Sequence, residues 1–143
     1  MPRTIRSIIE DQIPLTAPAK MTVGEAARLM KKSQFGAVMV VDDGKLVGIF
    51  TERDALFNVI AAGRDPQIIQ LAAVMTRNPQ TILADKPFVD ALHLMHAGGF
   101  RHVPVVEDGR PVGMVSARDA FGQELENFIY ELLRQEQIDD IVS

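Results

Sequence analysis

The 143-residue chain contains no cysteine and no tryptophan, and it has only one tyrosine. Without thiols the protein has no disulfide framework, no thiolate nucleophile and no cysteine-ligated zinc or iron–sulfur site. Aromatic residues make up only 6% of the chain, which leaves few surfaces on which single-stranded bases can stack. The hydrophobic fraction of 47% is sufficient for a core, so we expect one compact globular domain.

Long apolar runs are also missing from the sequence. No window approaches the ~20 apolar residues that a membrane span requires. The first seven residues, MPRTIRS, lack the apolar core of a signal peptide. We therefore expect a cytoplasmic protein with no membrane partner.

Charge is distributed unevenly along the chain. Residues 1–119 contain 14 Lys and Arg against 13 Asp and Glu, whereas residues 120–143 contain 1 against 6. A body that is nearly neutral is a poor electrostatic match for a nucleic-acid backbone, which is normally met by an excess of basic residues on one face. We therefore expect no nucleic-acid partner.

The chain contains an internal repeat with an offset of 65 residues. Residues 14–55 align on residues 79–120 without a gap, and 17 of the 42 aligned pairs are identical. A fixed offset over such a length indicates two copies of one structural unit.

Each copy shows the same order of helix and strand signals. The segment Thr22-Val23-Gly24-Glu25 has the form of a capping box and predicts a helix over residues 22–33. The matching helix of the second copy is expected to start with Asp85 as N-cap and Pro87 near its first turn.

Two short apolar runs follow the helices, at residues 37–41 and 103–106, and these are typical of buried strands. The dipeptides Asp43-Gly44 and Asp108-Gly109 then predict hairpin turns. The hairpins lead into strands over residues 46–50 and 111–115, each of which runs into a further helix.

The predicted unit is β-α-β-β-α, present twice, with short first strands near residues 13–17 and 81–83. A unit of about 60 residues is marginal on its own, so we expect an α+β module whose halves pack sheet against sheet about a pseudo-twofold axis. The expected boundaries are 5–62 for the first repeat, 69–125 for the second and 126–143 for a helical tail.

Both copies have the pattern G-h-h-[ST]-x-x-[DN] (h, hydrophobic) at the end of the second hairpin strand, with Thr51 and Asp54 in the first and Ser116 and Asp119 in the second. A hydroxyl at a strand-to-helix junction lies beside free N–H groups and suits a phosphate. A carboxylate three residues later can accept hydrogen bonds from ribose hydroxyls. The same pattern is also that of a capping box that needs no ligand, and both interpretations stay open.

An arginine precedes the aspartate in each motif, Arg53 in the first copy and Arg118 in the second. Each guanidinium can meet a phosphate, or it can pair with an acidic neighbour or a partner chain.

Together with the preceding Val-Val-x-Asp-Gly strand and turn, the two motifs resemble a tandem pair of CBS domains, the modules named after cystathionine β-synthase. The resemblance covers about residues 5–125. It implies a Bateman module with two clefts between the repeats, which in many members bind AMP, ADP, ATP or related adenosyl ligands. S-adenosylmethionine and NADH are further candidates, and no metal is required.

The resemblance also implies roles for particular side chains. Arg101 and His102, at the start of the middle strand of the second copy, would reach the phosphates of a nucleotide held on Thr51 and Asp54. The corresponding residues of the first copy are Gly36-Ala37, so the two clefts are expected to be unequal. His102 is otherwise a partly buried residue bonded to a carbonyl.

Adenine would lie against apolar walls near residues 14–17 and 81–83, which include Thr16 and Thr81. This placement follows from the resemblance alone.

A catalytic or metal site is not expected. His93 and His96 have a spacing that can serve a metal, but their counterparts in the first copy are Arg28 and Lys31, residues of a solvated face. The sequence has no G-x-S-x-G nucleophile elbow and no glycine-rich phosphate loop. We therefore expect a protein that is not an enzyme.

The spacing of apolar residues over residues 120–143 predicts an amphipathic helix that packs either on its own module or on a second subunit. Its apolar residues are Phe121, Leu125, Phe128, Ile129, Leu132 and Leu133. Because modules of the resembled family commonly pair, a homodimer is expected. Two functions remain: a sensor of an adenosyl ligand that acts on an unknown partner protein, or a ligand-free dimerisation or docking scaffold.

Overall fold

The computed structural model describes residues 3–142. In chain order its elements are α1 (Ile5–Ile9), β1 (Thr16–Pro18), α2 (Val23–Ser33), β2 (Ala37–Asp42), β3 (Lys45–Thr51), α3 (Glu52–Asp54) continued by a π-helix (Ala55–Ile60), α4 (Leu71–Val74), β4 (Thr76–Arg77), α5 (Phe88–Gly98), β5 (His102–Glu107), β6 (Arg110–Ser116), a 3₁₀ turn (Ala117–Asp119) and α6 (Gly122–Val142). The α+β class and the two repeats with a C-terminal helix are as predicted.

The predicted N-terminus is confirmed for α2 but not for the matching helix α5. At α2 the Thr22 hydroxyl accepts the Glu25 N–H at 3.3 Å, which confirms the predicted start. At α5 the prediction of Asp85 as N-cap was wrong, because the backbone of Pro87 is extended and bridges to Thr4. The Phe88 N–H then donates to the carbonyl of Arg3 at 2.9 Å, so the helix begins only at Phe88.

The strands form one sheet in each half. The first has the order β1-β2-β3-β4, and the second is the β5-β6 hairpin with a parallel bridge from Ile82 to Val105. That bridge repeats the pairing of Ala17 with Val40 at the 65-residue offset. Both predicted hairpin turns are confirmed, since Asp43 and Gly44 have φ of 52° and 76° and their counterparts are alike.

The cores of the two halves are completed by exchanged segments. Ile5 and Ile9 of α1 are buried in the core of the second half, whereas Leu71 and Val74 of α4 are buried in the core of the first half. The two sheets meet through a separate cluster of Ala37, Met39, Ile49 and Met114. Each half therefore depends on a helix that precedes the other half in sequence.

The second strand of each hairpin, β3 in the first half and β6 in the second, has an outer edge, and the two edges are covered in different ways. In the first half, Thr76 of β4 pairs with Ile49 of β3. In the second half, the Gln12 amide takes the place of a strand: its Nε2 donates to the Met114 carbonyl at 2.9 Å, and the Met114 N–H donates to its Oε1 at 3.0 Å. One side chain thus satisfies both backbone groups of Met114.

Helix α6 packs partly on its own module. Phe128 is only 7% exposed and belongs to the core of the second half, with Leu132 packed beside it. The Phe128 ring meets the imidazoles of His93 and His96 edge-on, with centroids 5.0 Å and 6.1 Å away. Within residues 3–142, no helix is long and apolar enough to cross a bilayer.

We predict that Gln12→Ala lowers the free energy of unfolding by about 1–2 kcal/mol, because two half-buried backbone groups of Met114 lose their partner. Urea unfolding would measure the change. The matched control is Gln135→Ala, which removes an exposed amide that donates to the Asp139 carboxylate. This substitution should change the free energy of unfolding by no more than about 0.5 kcal/mol. Equal losses in the two variants would contradict the role given to Gln12.

Candidate functional site

A cleft of about 1020 Å³ lies between the two halves; we call it the first cleft. Its walls come from the end of β3 and the helix that follows, from the segment after β4, and from the start of β5. The lining residues are Gly36, Ile49, Thr51, Glu52, Arg53, Asp54, Phe57, Asn58, Thr76, Asn78, Pro79, Gln80, Gly99, Phe100, Arg101 and His102. The cleft is large enough for a nucleotide-sized ligand.

Asp54 is the centre of the hydrogen-bond network in this cleft. It is 8% exposed, and its carboxylate accepts the Thr51 N–H at 3.1 Å, the Asn58 amide at 3.2 Å and the Thr76 hydroxyl at 3.3 Å. In return the Asp54 N–H donates to the Thr51 hydroxyl at 3.2 Å, which completes a capping box. An ionised carboxylate has about four acceptor directions, so these donors leave room for one more.

Cationic and titratable groups also line the first cleft. Arg101 and His102 come from the second half, whereas Arg53 comes from the first half and places its guanidinium 5.4 Å from the Phe57 ring centroid. Two arginines and one histidine therefore face the same space as Asp54. This arrangement suits a ligand that combines hydroxyl groups with an anionic group.

Gly36 lies close to the side chains of both Glu52 and His102. A Cβ at Gly36 would collide with the Glu52 carboxylate and lie 3.2 Å from His102 Nε2. Burial lowers the pKa of His102 below its ordinary value, an effect opposed by Glu52 and Asp119 and reinforced by Arg101 and Arg118. His102 is therefore neutral at neutral pH.

The matching turn of the second half is supported differently. Ser116 donates its N–H to the Asp119 carboxylate at 2.7 Å, as in a capping box. The Arg3 guanidinium donates to the Asp119 carbonyl at 2.6 Å and to Glu124 at 3.1 Å, and it stacks 3.8 Å from the Phe121 ring centroid. The hydrogen bond from Arg3 lowers the pKa of Glu124.

Not all of the predicted site residues meet in one place. Thr51, Arg53, Asp54, Arg101 and His102 line the first cleft, whereas Ser116 and Asp119 form the turn described above. Arg118 lines a separate groove on α2. Thr16 is exposed on β1, and Thr81 is exposed beside the buried Ile82, so neither belongs to the lining of the first cleft.

Sequence reasoning missed seven polar or aromatic members of the cleft lining: Glu52, Phe57, Asn58, Thr76, Asn78, Gln80 and Phe100. Asn58 follows Asp54 by four residues, a helical spacing that was a usable signal. Thr76 offered no local signal, because it reaches Asp54 only through the pairing of β4 with β3.

Within residues 3–142, no group of three or more His, Cys, Asp or Glu side chains is arranged to hold a metal ion. His93 and His96 are exposed, and His93 Nε2 lies 3.3 Å from a Glu131 carboxylate oxygen. Their rings serve as the packing surface for Phe128.

Comparison with known families matches the CBS domain model twice, over residues 5–61 and 71–124. The chain belongs to the CBS domain family. It resembles the CBS domain-containing protein YhcV of Bacillus subtilis, with 30% identity over 128 residues that span 87% of each chain. The predicted tandem CBS pair is thereby confirmed.

Longer relatives contain the same pair as a part. The CBS domain-containing protein CBSCBSPB1 of Arabidopsis thaliana is 40% identical over 95 residues, which cover 66% of this chain and 18% of the plant protein. The chain therefore spans less than a fifth of that relative's length.

Solved structures share the fold. The CBS domain pair of MJ0100, in complex with 5′-methylthioadenosine and S-adenosyl-L-methionine, has a TM-score of 0.74 and 28% identity over 95% of this chain and 99% of its own. The CBS domain protein PAE2072 of Pyrobaculum aerophilum, complexed with AMP, has a TM-score of 0.76 and 24% identity over 87% and 97%. A hexameric CBS-CP12 protein from bloom-forming cyanobacteria has a TM-score of 0.75 and 24% identity over 83% and 66%. The last two likenesses establish the fold alone.

We predict that His102 makes the free energy of unfolding depend on pH. Because burial lowers its pKa, the unfolded chain takes up the proton first, so stability is full above about pH 6.5 and falls as pH drops through the lowered value. Urea unfolding between about pH 8 and about pH 5.5 should show a smaller loss in His102→Asn than in the unaltered chain.

The control is His93→Asn, at an exposed histidine. Its free energy of unfolding should decrease between the two pH values as much as that of the unaltered chain. An unchanged pH dependence in His102→Asn would refute the assignment.

Proposed function

We propose that this protein is a regulatory module that binds an adenosyl ligand in the first cleft. Ligand binding changes the arrangement of its two halves and thereby regulates a partner protein. The ligand is an adenine nucleotide, AMP, ADP or ATP, with S-adenosylmethionine and NADH as further candidates. The role is regulatory rather than catalytic, and the protein acts in the cytoplasm as a homodimer.

The buried carboxylate of Asp54 is the observation on which the proposal rests. It points into a cleft of about 1020 Å³ and keeps an acceptor direction beyond its three protein donors. A ribose has two adjacent hydroxyls that can donate to such a group. The complex of the relative MJ0100 with two adenosyl compounds supports the same ligand class.

The cations of the cleft support a phosphorylated ligand. Arg53 and Arg101 supply two guanidinium groups from opposite halves, and His102 gains a proton readily once an anion offsets the cost of its burial. The aromatic rings of Phe57 and Phe100 in the same lining provide apolar surface for a base. In this proposal the phosphate lies toward Arg101 and His102, and the base lies toward the rings.

A ligand in this position would touch both halves of the module. Asp54 and Arg53 belong to the first half, and Arg101 and His102 belong to the second. A ligand that contacts both halves stabilises the relative position of the halves in which it makes all of its contacts. Binding therefore increases the fraction of molecules in that conformation. This supports a sensor whose output is a change in the relation between the halves.

One observation favours the alternative of a ligand-free scaffold. The Thr51–Asp54 and Ser116–Asp119 pairs both form capping boxes, so each has a structural reason to exist without a ligand. In that case the module would serve dimerisation or docking alone. Titration with ligands separates the two functions.

We predict that AMP binds the unaltered chain and binds Asp54→Ala about tenfold to a hundredfold more weakly, because a hydrogen bond to a charged group is lost. Isothermal titration with AMP, ADP, ATP, NADH and S-adenosylmethionine would measure this, at a temperature where melting shows every variant folded. The matched control is Asp119→Ala at the corresponding position of the second repeat, which should bind AMP as the unaltered chain does.

If none of the five compounds binds the unaltered chain, the sensor function is wrong and the scaffold function stands. If Asp119→Ala loses binding while Asp54→Ala keeps it, the ligand belongs to the second half.

We further predict that Arg101→Ala weakens the binding of AMP about tenfold or more and leaves the binding of adenosine unchanged, because only the phosphate meets the guanidinium. The control is Arg64→Ala, an exposed arginine outside the cleft lining. If Arg101→Ala loses the same affinity for AMP and for adenosine, this arginine does not contact the phosphate.

A further inference from the structure

The charged side chains that line the first cleft balance one another. The lining contains two carboxylates and two guanidiniums, those of Glu52, Asp54, Arg53 and Arg101. The imidazole of His102 adds no charge at neutral pH, because burial lowers its pKa. Among the lining residues that the structure describes, positive charge is therefore not in excess.

The same balance recurs around His102. Two acidic residues, Glu52 and Asp119, raise the pKa of this histidine, whereas two basic residues, Arg101 and Arg118, lower it. A ligand phosphate beside this imidazole is therefore within reach of carboxylate charges as well as guanidinium charges.

Glu52 is the lining carboxylate that can act on phosphate groups. The Asp54 carboxylate already accepts three protein hydrogen bonds, and in the proposed function its remaining acceptor direction binds the ribose. Within residues 3–142, the Glu52 carboxylate has no hydrogen-bond or ion-pair partner. It lies against Gly36 together with His102 Nε2, on the side of the cleft that the proposed function gives to the phosphate. Its negative charge there is not offset by a bonded cation.

The size of the cleft does not limit the number of phosphates. A volume of about 1020 Å³ is at the upper end of the range for small-molecule sites. AMP, ADP and ATP share the same nucleoside and differ in negative charge, which rises with each added phosphate. Charge rather than volume therefore distinguishes these three compounds.

We infer that the first cleft selects a nucleoside monophosphate over the corresponding di- and triphosphate, and that Glu52 is the residue that determines this preference. Arg53 and Arg101 offset the charge of one phosphate group. Each further phosphate adds negative charge that has no matching cation in the described lining and that Glu52 repels. The inference rests on the proposed function and narrows its ligand class.

Isothermal titration with AMP, ADP and ATP tests this preference, in magnesium-free buffer because Mg²⁺ would offset phosphate charge. The unaltered chain should bind AMP at least about tenfold more tightly than ATP, with ADP between them. Glu52→Gln keeps the size of the side chain and removes its charge, so it should reduce this ratio of affinities at least about fivefold. Glu52→Asp keeps the charge and should retain most of the ratio.

The matched control is Glu10→Gln, which removes the same charge from an exposed glutamate outside the cleft lining. It should leave the ratio of AMP to ATP affinity unchanged. Added salt should reduce the ratio in the unaltered chain, because Glu52 is exposed and dissolved ions screen its repulsion of phosphate. A preference that arose from steric exclusion of the longer ligand would not respond to salt in this way.

Three results would overturn the inference. If ATP binds the unaltered chain as tightly as AMP does, the cleft does not select a monophosphate. If AMP is preferred but Glu52→Gln keeps the same ratio as Glu10→Gln, Glu52 does not determine the preference. In both cases the sensor function stands. If none of the three nucleotides binds the unaltered chain, the ligand of the proposed function is wrong and this inference fails with it.

Discussion

The exchange of the two short helices α1 and α4 is the constraint on which the rest of the structure depends. Ile5 and Ile9 complete the core of the second half, and Leu71 and Val74 complete that of the first. Separating the halves would expose these side chains, and full burial of an isoleucine or leucine is worth about 1.5–3 kcal/mol. The halves are therefore held face to face through Met39, Ile49 and Met114. That position brings Arg101 and His102 into the lining of the same cleft as Asp54.

The same exchange makes the two halves unequal. The segment after α4 becomes strand β4, which brings the Thr76 hydroxyl to Asp54. The segment after α1 forms no strand at the corresponding place, and the Gln12 side chain closes the edge instead. Arg3 then ties the turn at Asp119 to Glu124. A nearly symmetric repeat thus yields one polar cleft around Asp54 and a differently supported turn around Asp119.

In the proposed function, the side chain of Asp54 has a structural role and a ligand-binding role together. Its capping box fixes the start of the helix after β3, and the same hydrogen bonds orient its carboxylate within the cleft. A group held in this way loses little side-chain freedom when a ligand binds, which favours affinity. The side chains of His102 and Glu52 both lie close to Gly36, so a Cβ at this position would require the Glu52 carboxylate to move.

Local sequence determined the elements of this protein: Thr22 and Glu25 start a helix, Asp43-Gly44 and Asp108-Gly109 turn two hairpins, and a 65-residue offset indicates two like halves. These features depend on neighbouring residues, so the sequence predicts them. The exchange of α1 and α4, the late start of α5 at Phe88, and the reach of Thr76 to Asp54 were decided only by tertiary structure. Each joins residues far apart in the chain, and their pairing is favoured only when both cores are packed, a condition that no local pattern records.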